Sequence, residues 1–329
     1  MKTAHRGVTL FFTYMMLGTM HVYAWNNLGH MVTAFIAYQH LTDPVRTRAN
    51  ALIKQNPFFK DWLKMIPAGA SDRDRDMMLF MIAATFADQI KGNVCYEADG
   101  APGSDGNRPD GRPSSLNIGY VDHLQHKYWH FVDKPFSQDG TTPLPELPRP
   151  NAQTQIGFFR RVLASSADDD LKSYDLVWLL HLVGDVHQPL HASTRVSSTA
   201  LEGDHGGKDV KVCPVSQTSC SESLHHFWDH ALDPDDVADD LAETLTKALI
   251  VGPTLSEADS ASSHKLKTSA WINESFADAK SKVYISPIKE GNGPFELNDA
   301  YRNAAKQEAR ERITLAGARL ASVLNDELK

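Results

Sequence analysis

Residues 174–191 read YDLVWLLHLVGDVHQPLH, and no other stretch limits the fold so severely. The apolar half has the composition of a helix in the interior of a domain, yet it runs directly into His181, Asp185, His187 and His191. Buried polar side chains of this kind persist only where a partner satisfies them. The fold must therefore bring other groups to this helix from elsewhere in the chain.

Spacing sharpens the demand. His181 and Asp185 are four apart, so on a helix they share one face, roughly 6 Å apart along the axis. His191 follows Pro189, where the helix has to end. The segment LHHFWDH repeats the pattern with His225 and Asp229, again four apart. Each pair on its own is open between two readings: a helical ion pair contributing about 0.2–0.5 kcal/mol, or two ligands of one metal ion, since imidazole and carboxylate are the usual zinc donors outside cysteine sites.

Three more polar residues sit in apolar settings: Asp88 in FMIAATFADQIK, His130 between Trp129 and Phe131, and His30 one turn into WNNLGHMVTAF. A helix cap, a carbonyl-bonded imidazole and a surface histidine would account for them one at a time. Taken together they would leave several buried groups unmet, at about 1–3 kcal/mol each. Metal ions would remove that cost.

Helical periodicity dominates the chain. It predicts helices near residues 28–41, 44–55, 76–91, 152–166, 170–187, 223–231, 235–250, 266–283 and 297–326. Residues 92–120, 136–150 and 194–222, rich in turn formers, read as surface loops. Alternating strand patterns are scarce, and neither an internal repeat nor a linker between two cores is visible. The expected architecture is all-α: a single mostly helical domain over residues 25–329, within reach of a chain of 329 residues.

Residues 1–24 carry Lys2 and Arg6, an apolar stretch from Val8 to Met20, and Val22-Tyr23-Ala24, the layout of a cleaved export signal. The apolar stretch is shorter than the ~20 residues of a membrane span, so no transmembrane segment is expected after cleavage, and Trp25 becomes the first residue. Destination follows: a secreted or periplasmic protein. In an oxidising compartment Cys213 and Cys220 of CPVSQTSC can pair, leaving Cys95 over. The formal net charge of −8 argues against a basic clamp on many phosphates.

The motifs WNNLGH, FADQIK, HFVD, HLVGDVHQPLH, GGKDVKV and LHHFWD, in this order, resemble the secreted type I nucleases, single-strand-specific enzymes with three zinc ions, related to the zinc-dependent phospholipases C. The resemblance covers the chain from Trp25 to about residue 325. It implies one zinc on Asp88, His130, His181 and Asp185, and a second on the freed amine and carbonyl of Trp25, His30 and a bridging Asp185. The third would sit on His191, His225 and Asp229.

The resemblance further implies in-line attack of an acidified water on phosphorus, with Asp88 as orienting group or base and Lys91 beside the scissile phosphate. Phe131 and Asp133 would stack on and hydrogen-bond to a base of single-stranded nucleic acid. For Lys91 a solvated charge at a helix end, and for Phe131 a core role, are the alternatives. The pattern departs from the family at Gly206-Gly207-Lys208, where an asparagine is usual; Lys208 could still meet phosphate. Implied activity is cleavage of RNA and single-stranded DNA to 5'-phosphate ends, with 3'-nucleotidase activity. A zinc-dependent phospholipase C acting on phospholipid, and an exported zinc-binding protein without catalysis, are the alternatives. His123, His126, His187, His205, His226 and His230 take no role from the resemblance and are expected as surface or supporting groups.

Overall fold

The computed structural model describes residues 25–98, 118–147, 149–214, 220–233, 240–255 and 260–328. The expected export signal, residues 1–24, lies outside them, as do most of the first predicted loop and the start of the helix expected at 235–250.

The described residues form a mostly helical domain. Its helices in chain order are α1 (Asn27–Gln39), α2 (Asp43–Ile53), α3 (Phe59–Met65), α4 (Asp72–Ala83), α5 (Phe86–Gln89), α6 (Ala152–Leu163) and α7 (Asp169–Asp185). These are followed by α8 (Leu224–Asp229), α9 (Leu241–Val251), α10 (Ser260–Ser263), α11 (Thr268–Asp278) and α12 (Asp299–Glu327). Side-chain caps begin many of them. Asn26 accepts from Gly29 N–H, Ser71 from Asp74 N–H, Ser223 from His226 N–H and Asn298 from Tyr301 N–H. At α6, Asn151 and Thr154 form a reciprocal capping box.

The position of α7 decides the rest. Every residue from Lys172 to Asp185 is buried, the polar ones included, so this helix runs through the interior of the domain. It is wrapped by α1, α2, α5, α6 and α12. In turn α1 packs on α4, α9 and α12, which closes the N-terminal helix onto the long C-terminal one. Strands are few and short. β1 (Pro135–Ser137) pairs in parallel with β2 (Thr194–Val196), and β3 (Lys211–Pro214) lies between antiparallel β4 (Glu222–Ser223) and parallel β5 (Phe295–Leu297). Cys213 on β3 is bridged to Cys220, and Cys95 is free and exposed. Among the described residues no helix is long and apolar enough to cross a membrane.

Three expectations need correction. The helix predicted over 76–91 is broken: α4 ends at Ala83, Thr85 adopts φ −97°, ψ 0°, and α5 restarts at Phe86. Ala84 and Thr85 are compatible with helix, so the cause is tertiary. The Ala84 carbonyl accepts from His181 Nδ1 at 2.8 Å, and the Thr85 hydroxyl turns back onto the Ile82 carbonyl. A short helix, α3, was not expected; its one buried side chain is Trp62, too few apolar positions for a periodic signal. The helix expected at 266–283 narrows to α11 and then widens into a π-turn over Ala279–Val283.

Candidate metal centre

Three separate elements, α1, α5 and the turn Lys127–His130, aim polar side chains at the buried C-terminal half of α7. That half supplies His181 and Asp185 from one face, with His181 Nε2 3.4 Å from Asp185 Oδ1. The break after α4 places Asp88 on α5, its Oδ1 3.7 Å from His181 Nε2. A 3-10 turn, Lys127–His130, presents His130, whose Nδ1 lies 3.0 Å from Asp185 Oδ2 and 3.1 Å from His181 Nε2. From α1 comes His30, with Nε2 3.3 Å from Asp185 Oδ1 and its ring stacked on His181 at 3.7 Å. Beyond α7, a 3-10 turn after Pro189 carries His191, whose Nε2 faces His225 Nε2 at 3.1 Å, and Asp229 Oδ2 lies 3.6 Å from the same His225 atom.

The side chains fall into three groups, each with ligand atoms within 4.8 Å of one another: His30, His181 and Asp185; Asp88, His130 and His181; His191, His225 and Asp229. All eight residues are buried. His181 lies within reach of both of the first two groups.

Hydrogen bonding decides what these groups can hold. Carbonyls take the Nδ1 side of three imidazoles: Ala84 for His181, His130 for His191, and Gly206 for His225, at 2.8, 2.7 and 2.7 Å. Each Nδ1 then carries the proton, and each Nε2 is left as a bare lone pair. His191 and His225 thus aim two acceptors at each other across 3.1 Å. A proton does not relieve the clash, since burial, with neighbouring cations, holds His225 down at about 3 and His191 well below the ordinary imidazole range. Burial also lowers His30 to about 4 and depresses His130 and His181. The carboxylates answer in the opposite sense: burial raises Asp185 and Asp229 well above their usual range, with Asp88 adding repulsion. His30 Nδ1 and Nε2, Asp88 Oδ2, His130 Nε2, Asp185 Oδ1 and Asp229 Oδ2 have no hydrogen-bond partner.

A set of neutral imidazoles and carboxylates with converging bare lone pairs fits divalent zinc. Tetrahedral bonding at 2.0–2.1 Å separates ligand nitrogens by about 3.3 Å, close to the 3.1 Å between His191 and His225.

Two glycines hold the geometry. A Cβ on Gly184 would lie 2.9 Å from His30 Nδ1, so the helix can approach that ring only with glycine at this position. Gly206, at φ +62°, takes a backbone conformation that most residues avoid, and a Cβ there would stand 2.5 Å from the Leu190 carbonyl oxygen. That turn is what delivers its carbonyl to His225.

Trp25 is fully buried near His30, its ring edge 3.8 Å from where a Gly184 Cβ would stand, and Asn26 N–H donates to the Asp229 carbonyl at 3.0 Å. Lys91 is not a solvated helix charge: its side chain is 8 % exposed and its ammonium is 2.7 Å from Asp88 Oδ1. Phe131 is buried directly after His130, and Lys208 Nζ stands over its ring, 5.0 Å from the centroid. Asp133, half-buried at φ +50°, lies two residues on.

Several supporting residues carried no signal of their own in the sequence. Gln188 Nε2 donates to Asp229 Oδ1 at 2.7 Å while its Oε1 accepts from Leu190 N–H. His187 faces away from the centre, donating from Nδ1 to the Val183 carbonyl and taking Arg319 on Nε2. Arg312 donates to the His187 carbonyl and to Ser275, whose hydroxyl donates to the Val186 carbonyl. The carbonyls at the end of α7 are thus covered by α11 and α12. Arg312 and Arg319 are seven apart on one helix face, the one hint the sequence offered. His126 is also buried, bonded to Asp122 and Tyr128, whereas His123 and His205 are exposed.

Comparison with known proteins gives a consistent result. A family model described as S1/P1 nuclease matches residues 25–329. Nuclease S1 of Aspergillus oryzae is 27% identical over 183 residues, covering 51% of this chain and 58% of that protein. Endonuclease 2 of Arabidopsis thaliana is 26% identical over 184 residues, covering 53% and 58%. The chain therefore spans somewhat more than half the length of these curated relatives.

Proposed function

The chain belongs to the S1/P1 nuclease family, and from that premise we propose that it is an exported, zinc-dependent hydrolase of phosphodiester bonds in RNA and single-stranded DNA, leaving 5'-phosphate ends and also removing 3'-phosphates. The observation that carries this reading is the pair of Nε2 atoms on His191 and His225, 3.1 Å apart, with the Nδ1 of each ring on a backbone carbonyl.

Three zinc ions are assigned to the ligands Asp88, His130, His181 and Asp185; Trp25, His30 and Asp185; and His191, His225 and Asp229. Bound there, zinc would supply Lewis acidity, lowering the pKa of a water toward ~7 and neutralising charge on phosphoryl oxygens. Asp88 would orient that water or take its proton, a role supported by Lys91 on its Oδ1 and by a buried Oδ2 with no hydrogen-bond partner. Lys91 contributes a fixed positive charge at the same spot, suited to a phosphate oxygen. Phe131 offers a stacking face for an unpaired base, Asp133 an acceptor for its N–H groups, and Lys208 a further cation. Trp25 can contribute its amine only once residues 1–24 are removed, so export and activation are one step. Residues 25–329 act as one domain.

The experiment is Asp88→Asn in the processed protein, with zinc content, circular dichroism and turnover of single-stranded DNA, RNA and a phosphocholine ester measured side by side. Retained fold with turnover of nucleic acid lost supports the reading. Wild-type protein carrying three zincs yet hydrolysing no phosphoester would overturn it, and release of phosphocholine in preference to nucleotides would move the substrate to lipid.

A further inference from the structure

We propose that Lys208 makes the base site selective for guanine, an inference that rests on the nuclease reading above. Lys208 follows the turn at Gly206 and Gly207, is half-buried, and places its ammonium 5.0 Å from the centre of the Phe131 ring. Among the described residues no carboxylate lies within ion-pair distance of it, whereas Lys91 is tied to Asp88 at 2.7 Å. Lys208 directly follows Gly207, whose carbonyl accepts from His225 N–H at 3.3 Å. Lys208 is therefore a cation held beside the centre by an aromatic face.

A base that stacks on Phe131 from that side takes the place of the ammonium and moves it to the edge of the base. Cation–π attraction is lost in the exchange, and what replaces it depends on the edge. Stacking itself tolerates every base. An ammonium donates hydrogen bonds and accepts none, so it favours edges rich in acceptors. Guanine presents N7 and O6 side by side; adenine pairs N7 with an amino donor, cytosine offers an amino group there, and uracil or thymine a lone O4. Guanine also carries N1–H and the N2 amino group, donors suited to a carboxylate such as Asp133. Unpaired cytosine has the acceptor pair N3 and O2 but a single amino donor, so only guanine combines two acceptors for the displaced lysine with two donors for a carboxylate.

The test uses processed, zinc-loaded protein and three versions of residue 208: wild type, Lys208→Met, which keeps the apolar stem, and Lys208→Arg, which keeps a donor able to reach O6 and N7. Two readouts are taken: kcat/KM on GpG, ApA, CpC and UpU, and the dissociation constants of guanosine and adenosine 5'-monophosphate by calorimetry. Wild type is expected to favour guanine about tenfold in both, within the contribution of one bidentate contact to a base edge. In Lys208→Met the ratio falls toward one, and in Lys208→Arg it is kept. A guanine-to-adenine ratio unchanged by Lys208→Met overturns the proposal. So does an equal loss on all four substrates, which would make Lys208 a phosphate ligand instead. If no dinucleotide is cleaved the nuclease reading fails separately, and the monophosphate binding ratio still decides the role of Lys208.

Discussion

Replacing Gln188 by leucine removes a two-ended contact at nearly constant volume. The side chain donates to Asp229 Oδ1 at 2.7 Å and accepts from Leu190 N–H at 2.5 Å, with all three residues buried. Leucine leaves both partners unmet, at about 1–3 kcal/mol each. The orphaned Leu190 N–H weakens folding equally with and without metal, so it cancels from zinc affinity. The Asp229 share does not cancel, because only the ionised carboxylate binds a cation, and Gln188 is what stabilises that form while turning Oδ2 toward His225. Loss of such an outer contact typically weakens metal binding about 10–100-fold, or about 1.4–2.8 kcal/mol. The assay is stepwise titration of zinc into the metal-free protein against a chromophoric chelator. One site should weaken by that factor, with the two sites built around His181 and Asp185 unchanged. An unaltered third site, or an equal loss at every site, would refute the reasoning.

Other outcomes can be checked on the same protein. Chelation should lower Tm by about 15–20 °C, recoverable with zinc: an ion at a thousandfold excess over its Kd adds about 4 kcal/mol, or about 6 °C for a chain of this size. A Tm indifferent to chelator would remove the metals from the argument. Gly184→Ala should raise helix propensity by about 1 kcal/mol yet displace His30, whose ring nitrogen is 2.9 Å from the new Cβ; a variant that keeps three zincs contradicts this. Asp175 is fully buried with neither carboxylate oxygen partnered, and burial pushes it up to about 9. Its native carboxyl keeps a proton that the unfolded chain releases above pH ~4, so its effect on stability worsens as pH rises, by up to about 1.4 kcal/mol per unit. Asp175→Asn, neutral throughout, should therefore stabilise by about 2–4 kcal/mol at pH 7 and by almost nothing at pH 4, as read from urea melts; a gain independent of pH would be the contrary result.

Much of this centre was legible because its residues break local rules. His181, Asp185, His225 and Asp229 announce themselves through a four-residue spacing inside apolar helices, and the Gly206-Gly207 pair marks a turn that only small residues make. What was not legible belongs to long-range contact. Nothing in FMIAATFADQ foretells a helix break at Ala84, because the group that claims its carbonyl, His181, is 97 residues away. His187 looked like its neighbours His181 and His191, yet it points at Arg319 on the other side of the helix. Nor could spacing alone show that His181 lies close to both His30 and Asp88, since that depends on where α1 and α5 approach α7.

The bonds that close the end of α7 have a consequence for timing. Val186 and His187 leave the ribosome long before Ser275, Arg312 and Arg319, the residues that seal their carbonyls and the His187 ring. Until the last helix has docked, the turn between Asp185 and His191 lacks its backing, and the histidines around it have no fixed aim. A polypeptide caught midway through synthesis therefore lacks the side chains that cover the Val186 and His187 carbonyls and hold the His187 ring.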